Sequence, residues 1–129
     1  KHIFCYSLLP HRGDPLSEVA AQSYMHNDPP RAFLVEGVVG GLESFSAVSC
    51  PPEDAMVSVL ERGQEGAVWL RLWEVGGKGR HTRLKLGLEP SRAEKVDLLG
   101  RKIEDLEVVD SCVTVPLRRF EIATIKAYL

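Results

Sequence analysis

Two carboxylates facing each other across a cleft are the simplest hydrolytic machinery, one giving a proton and the other acting as nucleophile or base. The acidic residues of the later sequence, Glu61, Glu65, Glu89, Glu94, Asp97, Glu104, Asp105 and Glu107, fall in turns or on the polar side of alternating runs. Their expected place is solvated surface, since carboxylates are seldom buried unpaired. Zinc needs three or four ligands. The one histidine with a ligand type beside it stands in His26-Asn27-Asp28, just before Pro29 and Pro30, while His11 and His81 are isolated. No metal site is therefore expected. Nucleophilic catalysis needs a cysteine or serine next to a base, yet Cys5, Cys50 and Cys112 lie in apolar runs. There a thiol packs as a small hydrophobe, and all three are read as core. No catalytic residue is assigned.

The run AVWLRLWEV carries more information. Alternation on a strand places Val68, Leu70 and Leu72 on one face and Trp69, Arg71 and Trp73 on the other. An arginine bracketed by two indoles has two uses: it can stack on and donate to a sugar, or cover an adjoining domain through a cation–π ladder. The second is favoured, because flanking indoles are common interface material. Arg83 and Lys85, with Lys78, Arg80 and His81 upstream, read as the wet face of a strand rather than a phosphate stripe, because no aromatic residue shares that face. Arg12-Gly13-Asp14 spells an adhesion tripeptide, but Asp14 serves better as a helix cap.

Those residues must be carried by a scaffold, and the punctuation of the sequence describes one. Residues 2–9 contain the apolar run IFCYSLL, read as a buried strand ended by Pro10. Asp14-Pro15 then supplies an N-cap and a first helical position, followed by Leu16, Val19, Ala20 and Ser23 at helical spacing. This single short helix should stop near Asn27, because Pro29 and Pro30 cannot continue it. Strand-like runs follow: AFLVEGVV, SFSAVS, AMVSVLE, AVWLRLWEV, HTRLKLGL, a mixed stretch over 93–99, CVTVPL and FEIATIKAYL. Turns are expected at 63–66, 76–79 and Asp110-Ser111, and Pro116 should mark an edge strand or a bulge. The expected fold is mainly β, an antiparallel β-sandwich with one short α-helix near the N-terminus, in a single domain over residues 1–129.

Composition narrows the partners. Sixteen basic against eighteen acidic residues give a net charge of −2, which favours neither nucleic acid nor a membrane surface. No apolar run reaches the roughly 18 residues of a membrane span. Three widely spaced cysteines, odd in number, fit a reducing cytoplasm better than a disulfide framework. Beginning at Lys1 inside a strand-like run, the chain reads as a piece of a longer protein.

Four stretches in order, HIFCYSLLPHRGD, GAVWLRLWEVGGKGRHTRLKLGL, AEKVDLLGRKIEDLEV and CVTVPLRRFEIATIKAYL, resemble the C-terminal portion of glycoside hydrolase family thirty-eight, the α-mannosidases, in its microbial and cytosolic branch. Departures are Pro15, where the family often has tryptophan, and Trp73 in place of a tyrosine, while Phe120 before Glu121 keeps the family phenylalanine. The resemblance implies a non-catalytic domain of a retaining α-mannosidase, inactive alone, that supports and frames a catalytic domain of the same chain. It also implies that zinc and the catalytic carboxylates belong to that absent domain, so none is carried onto His26-Asn27-Asp28. The expected partners are the catalytic domain and an α-mannoside glycan. A free-standing carbohydrate-binding or protein-interaction sandwich is the alternative.

Overall fold

A computed structural model describes residues 2–13, 16–34, 36–37, 40–41, 44–51, 53–64 and 66–129. Among these residues one helix, α1 (Leu16–Asn27), precedes eight strands: β1 (Val48–Ser49), β2 (Ala55–Arg62), β3 (Ala67–Glu74), β4 (Arg80–Leu86), β5 (Arg92–Val96), β6 (Lys102–Val109), β7 (Cys112–Leu117) and β8 (Ile122–Tyr128). The strands form one antiparallel sheet in the order β1-β4-β7-β6-β5-β8-β3-β2. It curls at β6, which pairs with β5 through residues 102–106 and with β7 through residues 107–109. The two halves thereby face each other as a sandwich.

Alternation decides which residues enter the space between the halves. On β4, Thr82, Leu84 and Leu86 are buried while His81, Arg83 and Lys85 are exposed, so the basic stripe is the wet face that the spacing indicated. Leu70 and Leu72 of β3 and Ile125 of β8 meet Leu84 of β4 and Val113 and Val115 of β7 in one core, all fully buried. Each such side chain contributes about 1.5–3 kcal/mol through loss of apolar surface. Between β6 and β7, Asp110 and Ser111 both adopt positive φ, 49° and 63°, as a two-residue hairpin whose twist matches its strands requires.

The helix ends where its prolines demand, with Asp28 N–H bonded to the Tyr24 carbonyl and the Asn27 amide to that of Ser23. Its Asp14-Pro15 start lies outside the described residues. Other expectations need correction. Residues 2–9 form no strand: Phe4 is 85% exposed and Cys5 is exposed, because no sheet edge here pairs with them. The described part of AFLVEGVV is also strand-free, and SFSAVS yields only β1. β6 was not expected from KIEDLEVV, whose charges mask its inward Leu106 and Val108. Pro116 lies on an interior strand, yet the β6 ladder stops at Thr114, so its missing N–H removes no β6 bond. Cys50 packs against the core and Cys112 is half-buried, so of the three thiols only Cys5 contradicts the core assignment.

Candidate functional site

Trp69, Arg71 and Trp73 do lie on the outer face of β3, in register with Lys126, Thr124 and Ile122 of β8. They do not act together. The indole of Trp69 is wedged lengthwise between two turns: a Cβ placed on Gly63 would strike its pyrrole end, and one on Gly100 would come within 2.6 Å of its benzene end. Glycine at both places is what lets the turns close on the ring. Beside it opens a groove of about 500 Å³ lined by Glu61, Arg62, Gly63, Gln64, Trp69 and Lys126.

Trp73, 42% exposed, belongs to another groove of about 390 Å³, where it meets Val75, Phe120 and the Val19, Ala20 and Tyr24 side of α1. The helix is fastened there by Tyr24, whose hydroxyl donates to the Ser58 carbonyl at 3.4 Å. Ser58 marks the irregularity in the β2–β3 register between Val57 and Val59. Arg71 stands between the two indoles, half-buried, with its Nε shielded from solvent and bonded to nothing.

The polar clusters elsewhere hold the fold. Glu74 continues the inward row of Leu70 and Leu72 and is fully buried. Its carboxylate accepts N–H bonds from Phe120 at 2.7 Å, Gly77 at 3.0 Å and Lys78 at 3.2 Å, tying the β3–β4 turn to the β7–β8 turn. Burial alone would raise its pKa, but these donors and the Gly79 amide outweigh it and hold the carboxyl below its ordinary value. The same bond keeps Phe120 at a φ of 55°, with its ring over Gly77. Glu94, expected on the wet surface, is instead buried. It pairs with Arg92 at 2.9 Å and, more loosely, with Lys102 at 4.0 Å, and Lys102 also holds Asp105 at 2.6 Å. Lys95 is buried against Glu121 at 2.9 Å and the Pro116 carbonyl at 2.7 Å.

What this arrangement can do chemically is limited. A general acid needs a raised carboxyl pKa, whereas Glu74, Asp97 and Glu121 all move down. For Asp97 the Arg101 amide and guanidinium are responsible. For Glu121 the Arg118 amide and Lys95 overcome burial. Cys50 sits beside Thr82 at 3.7 Å, and Thr82 bonds Asp54 at 3.1 Å, which pairs with Arg80 at 2.6 Å. Burial, aided by the charges of Asp54 and Glu53, pushes this thiol up despite the Thr82 bond, away from the thiolate a nucleophile requires. His26 and Asp28 are exposed at the end of α1. Among the described residues no three His, Cys, Asp or Glu side chains converge to hold a metal ion, and no helix is long and apolar enough to cross a membrane.

The run Leu70-Arg71-Leu72-Trp73-Glu74 contained the signal for Glu74, an acid in the inward register of a strand that runs into Gly76-Gly77. Nothing local marked the wedging of Trp69, since Gly63 and Gly100 come to it from separate turns. No curated protein matches the chain. The model described as "Glycosyl hydrolases family 38 C-terminal beta sandwich domain" matches residues 54–125, more than half of the chain and the stretch running from the edge of β2 into β8. The chain therefore belongs to glycosyl hydrolase family 38, as its C-terminal β-sandwich domain.

Proposed function

We propose that this chain is a non-catalytic module of an α-mannosidase-like enzyme of the microbial and cytosolic branch, supporting and framing the catalytic domain during retaining cleavage of α-mannosides. The family match over 54–125 carries this reading. Glu74, Asp97 and Glu121 support it, since each clasps a turn and is held below the ordinary carboxyl range rather than raised toward a general acid. The zinc implied by the resemblance belongs to the catalytic domain in this reading. The described residues here do not fit it, for they bring no three ligands together. Three free thiols support a cytoplasmic setting.

The test is reconstitution in trans. The catalytic part, expressed without this module, should lose aryl α-mannoside hydrolysis and regain it when the module is added, with amide exchange slowed along β3 and β8. The module alone should not hydrolyse the substrate. A catalytic part equally active and stable by itself, with no slowed exchange, would overturn the reading.

A second reading rests on the groove beside Trp69, whose Glu61, Gln64 and Lys126 surround an aromatic wall as sugar sites do. Saturable binding of methyl α-mannoside, lost in Gln64→Ala with the fold intact, would favour a carbohydrate-binding module.

A further inference from the structure

Arg71 is, among the described residues, the one arginine that folding half buries without giving it an ion pair; Arg80, the other half-buried one, has Asp54. Its Nε is dry and bonded to nothing. So is the hydroxyl of Thr124, its register partner on β8, a residue only 3% exposed. Neither Nη shares that burial, so the head of the guanidinium is open to solvent while its neck is sealed. Dry donors without acceptors are uncommon in folded proteins because each gives up its water for nothing.

The charges around Arg71 do not answer it. On the same outer face Glu61, which faces Trp69 across the β2–β3 pair, makes no ion pair with Arg71, while Glu94 is held by Arg92 and Lys102, and Asp105 by Lys102, so either of these last two acids would have to leave a cation to reach Arg71. A neutral sugar hydroxyl there would leave the charge uncompensated. A carboxylate compensates it and also matches the planar fork of a guanidinium.

We propose that Arg71 receives an aspartate or glutamate side chain from the part of the glycosidase that packs on this face. The acid accepts from the outward Nη groups, and a small turn of the guanidinium on binding lets the Nε–H donate to the hydroxyl of Thr124, its register partner. The inference rests on the docking reading above, and it makes Arg71 a recognition residue that contributes nothing to the stability of the isolated chain.

Acetate is the probe. The isotope-labelled chain is titrated with acetate, with chloride at the same ionic strength, and with methyl α-mannoside, reading the Arg71 Nε–H resonance in the parent and the backbone amide resonance of its register partner Thr124 in both the parent and the variant. Acetate should give a saturable shift that chloride does not. Its affinity should fall about tenfold or more in Arg71→Gln, a variant that should unfold at the same temperature as the parent. A response to chloride equal to that to acetate, a response to the sugar alone, no saturation, or a lower unfolding temperature in Arg71→Gln would each overturn the proposal. Acetate binding in a chain that fails to dock in trans would overturn the occupant, while docking that survives Arg71→Gln unweakened would overturn the role of Arg71 and leave the docking reading standing.

Discussion

Replacing Glu74 by glutamine changes one oxygen for nitrogen in a fully buried side chain and alters almost no volume. The consequences follow from the three N–H bonds its carboxylate accepts. Glutamine keeps one acceptor; set where it still receives Gly77 and Phe120, it turns its amide nitrogen toward the Lys78 N–H. One bond is lost to a donor facing a donor, and two become neutral. With charge-assisted bonds worth about 1.5–3 kcal/mol and neutral ones about 1 kcal/mol, the exchange costs roughly 3 kcal/mol. For 129 residues, an unfolding entropy of about 2.1 cal/mol/K per residue converts this to a drop in Tm of roughly 10 °C. The folded pKa of Glu74 lies below the ordinary value of 4.5, so the unfolded chain binds the proton first as pH falls. The stabilisation is thus complete above that pH and disappears as pH drops through the folded value. Urea unfolding followed by circular dichroism, at neutral pH and in steps into acid, checks both points. A variant within about 2 °C of the parent, or a deficit unchanged in acid, would refute the clamp.

Gly63→Ala should destabilise by about 1–3 kcal/mol because its methyl strikes the Trp69 indole; the loss should shrink when Trp69→Leu is added, as a double-mutant cycle in urea would show. Lys95→Met leaves Glu121 without its close cation while Glu121 still accepts the Arg118 N–H at 2.6 Å. A cost of about 1–3 kcal/mol is expected near neutral pH, and the deficit should shrink as pH falls, because Lys95 helps hold the Glu121 carboxyl down and that contribution is lost once the carboxyl is protonated. Thiol labelling followed by peptide mass spectrometry should modify Cys5 first and Cys50 last, since Cys5 is exposed and burial raises the Cys50 thiol; Cys50 labelled as fast as Cys5 would contradict its packing.

Where one residue's face follows from its neighbours in sequence, the chain could be read directly. Leu70, Leu72, Leu84 and Leu86 announce inward rows, and His81, Arg83 and Lys85 the opposite side, because a strand alternates regardless of what it later meets. The helix stop before Pro29 is equally local. What failed depends on partners far along the chain. The run IFCYSLL has the composition of a strand, but composition cannot supply the edge it must pair with. KIEDLEVV looks too charged for a strand until β5 and β7 claim its two ends. Glu94 looks solvated until Arg92, Lys102 and the Tyr128 hydroxyl, at 3.4 Å, close around it. The Trp69-Arg71-Trp73 triplet was correctly placed on one face, yet its division into a wedge, an open cation and a helix contact needed Gly63, Gly100 and α1 in space.

The double allegiance of β6 has a consequence for how this domain can vary. Its partner changes between Leu106 and Glu107, and side chains alternate along it with a period of two. Inserting or deleting one residue at that junction would turn β7, β4 and β1 inside out relative to β5, β8, β3 and β2, sending Val113, Val115 and Leu84 to solvent and Thr114 and Arg83 inward. Two residues would restore the parity. Length variation in this part of the sandwich should therefore be confined to even steps, while the connection between β2 and β3, which joins neighbouring strands of one half, is free of that arithmetic.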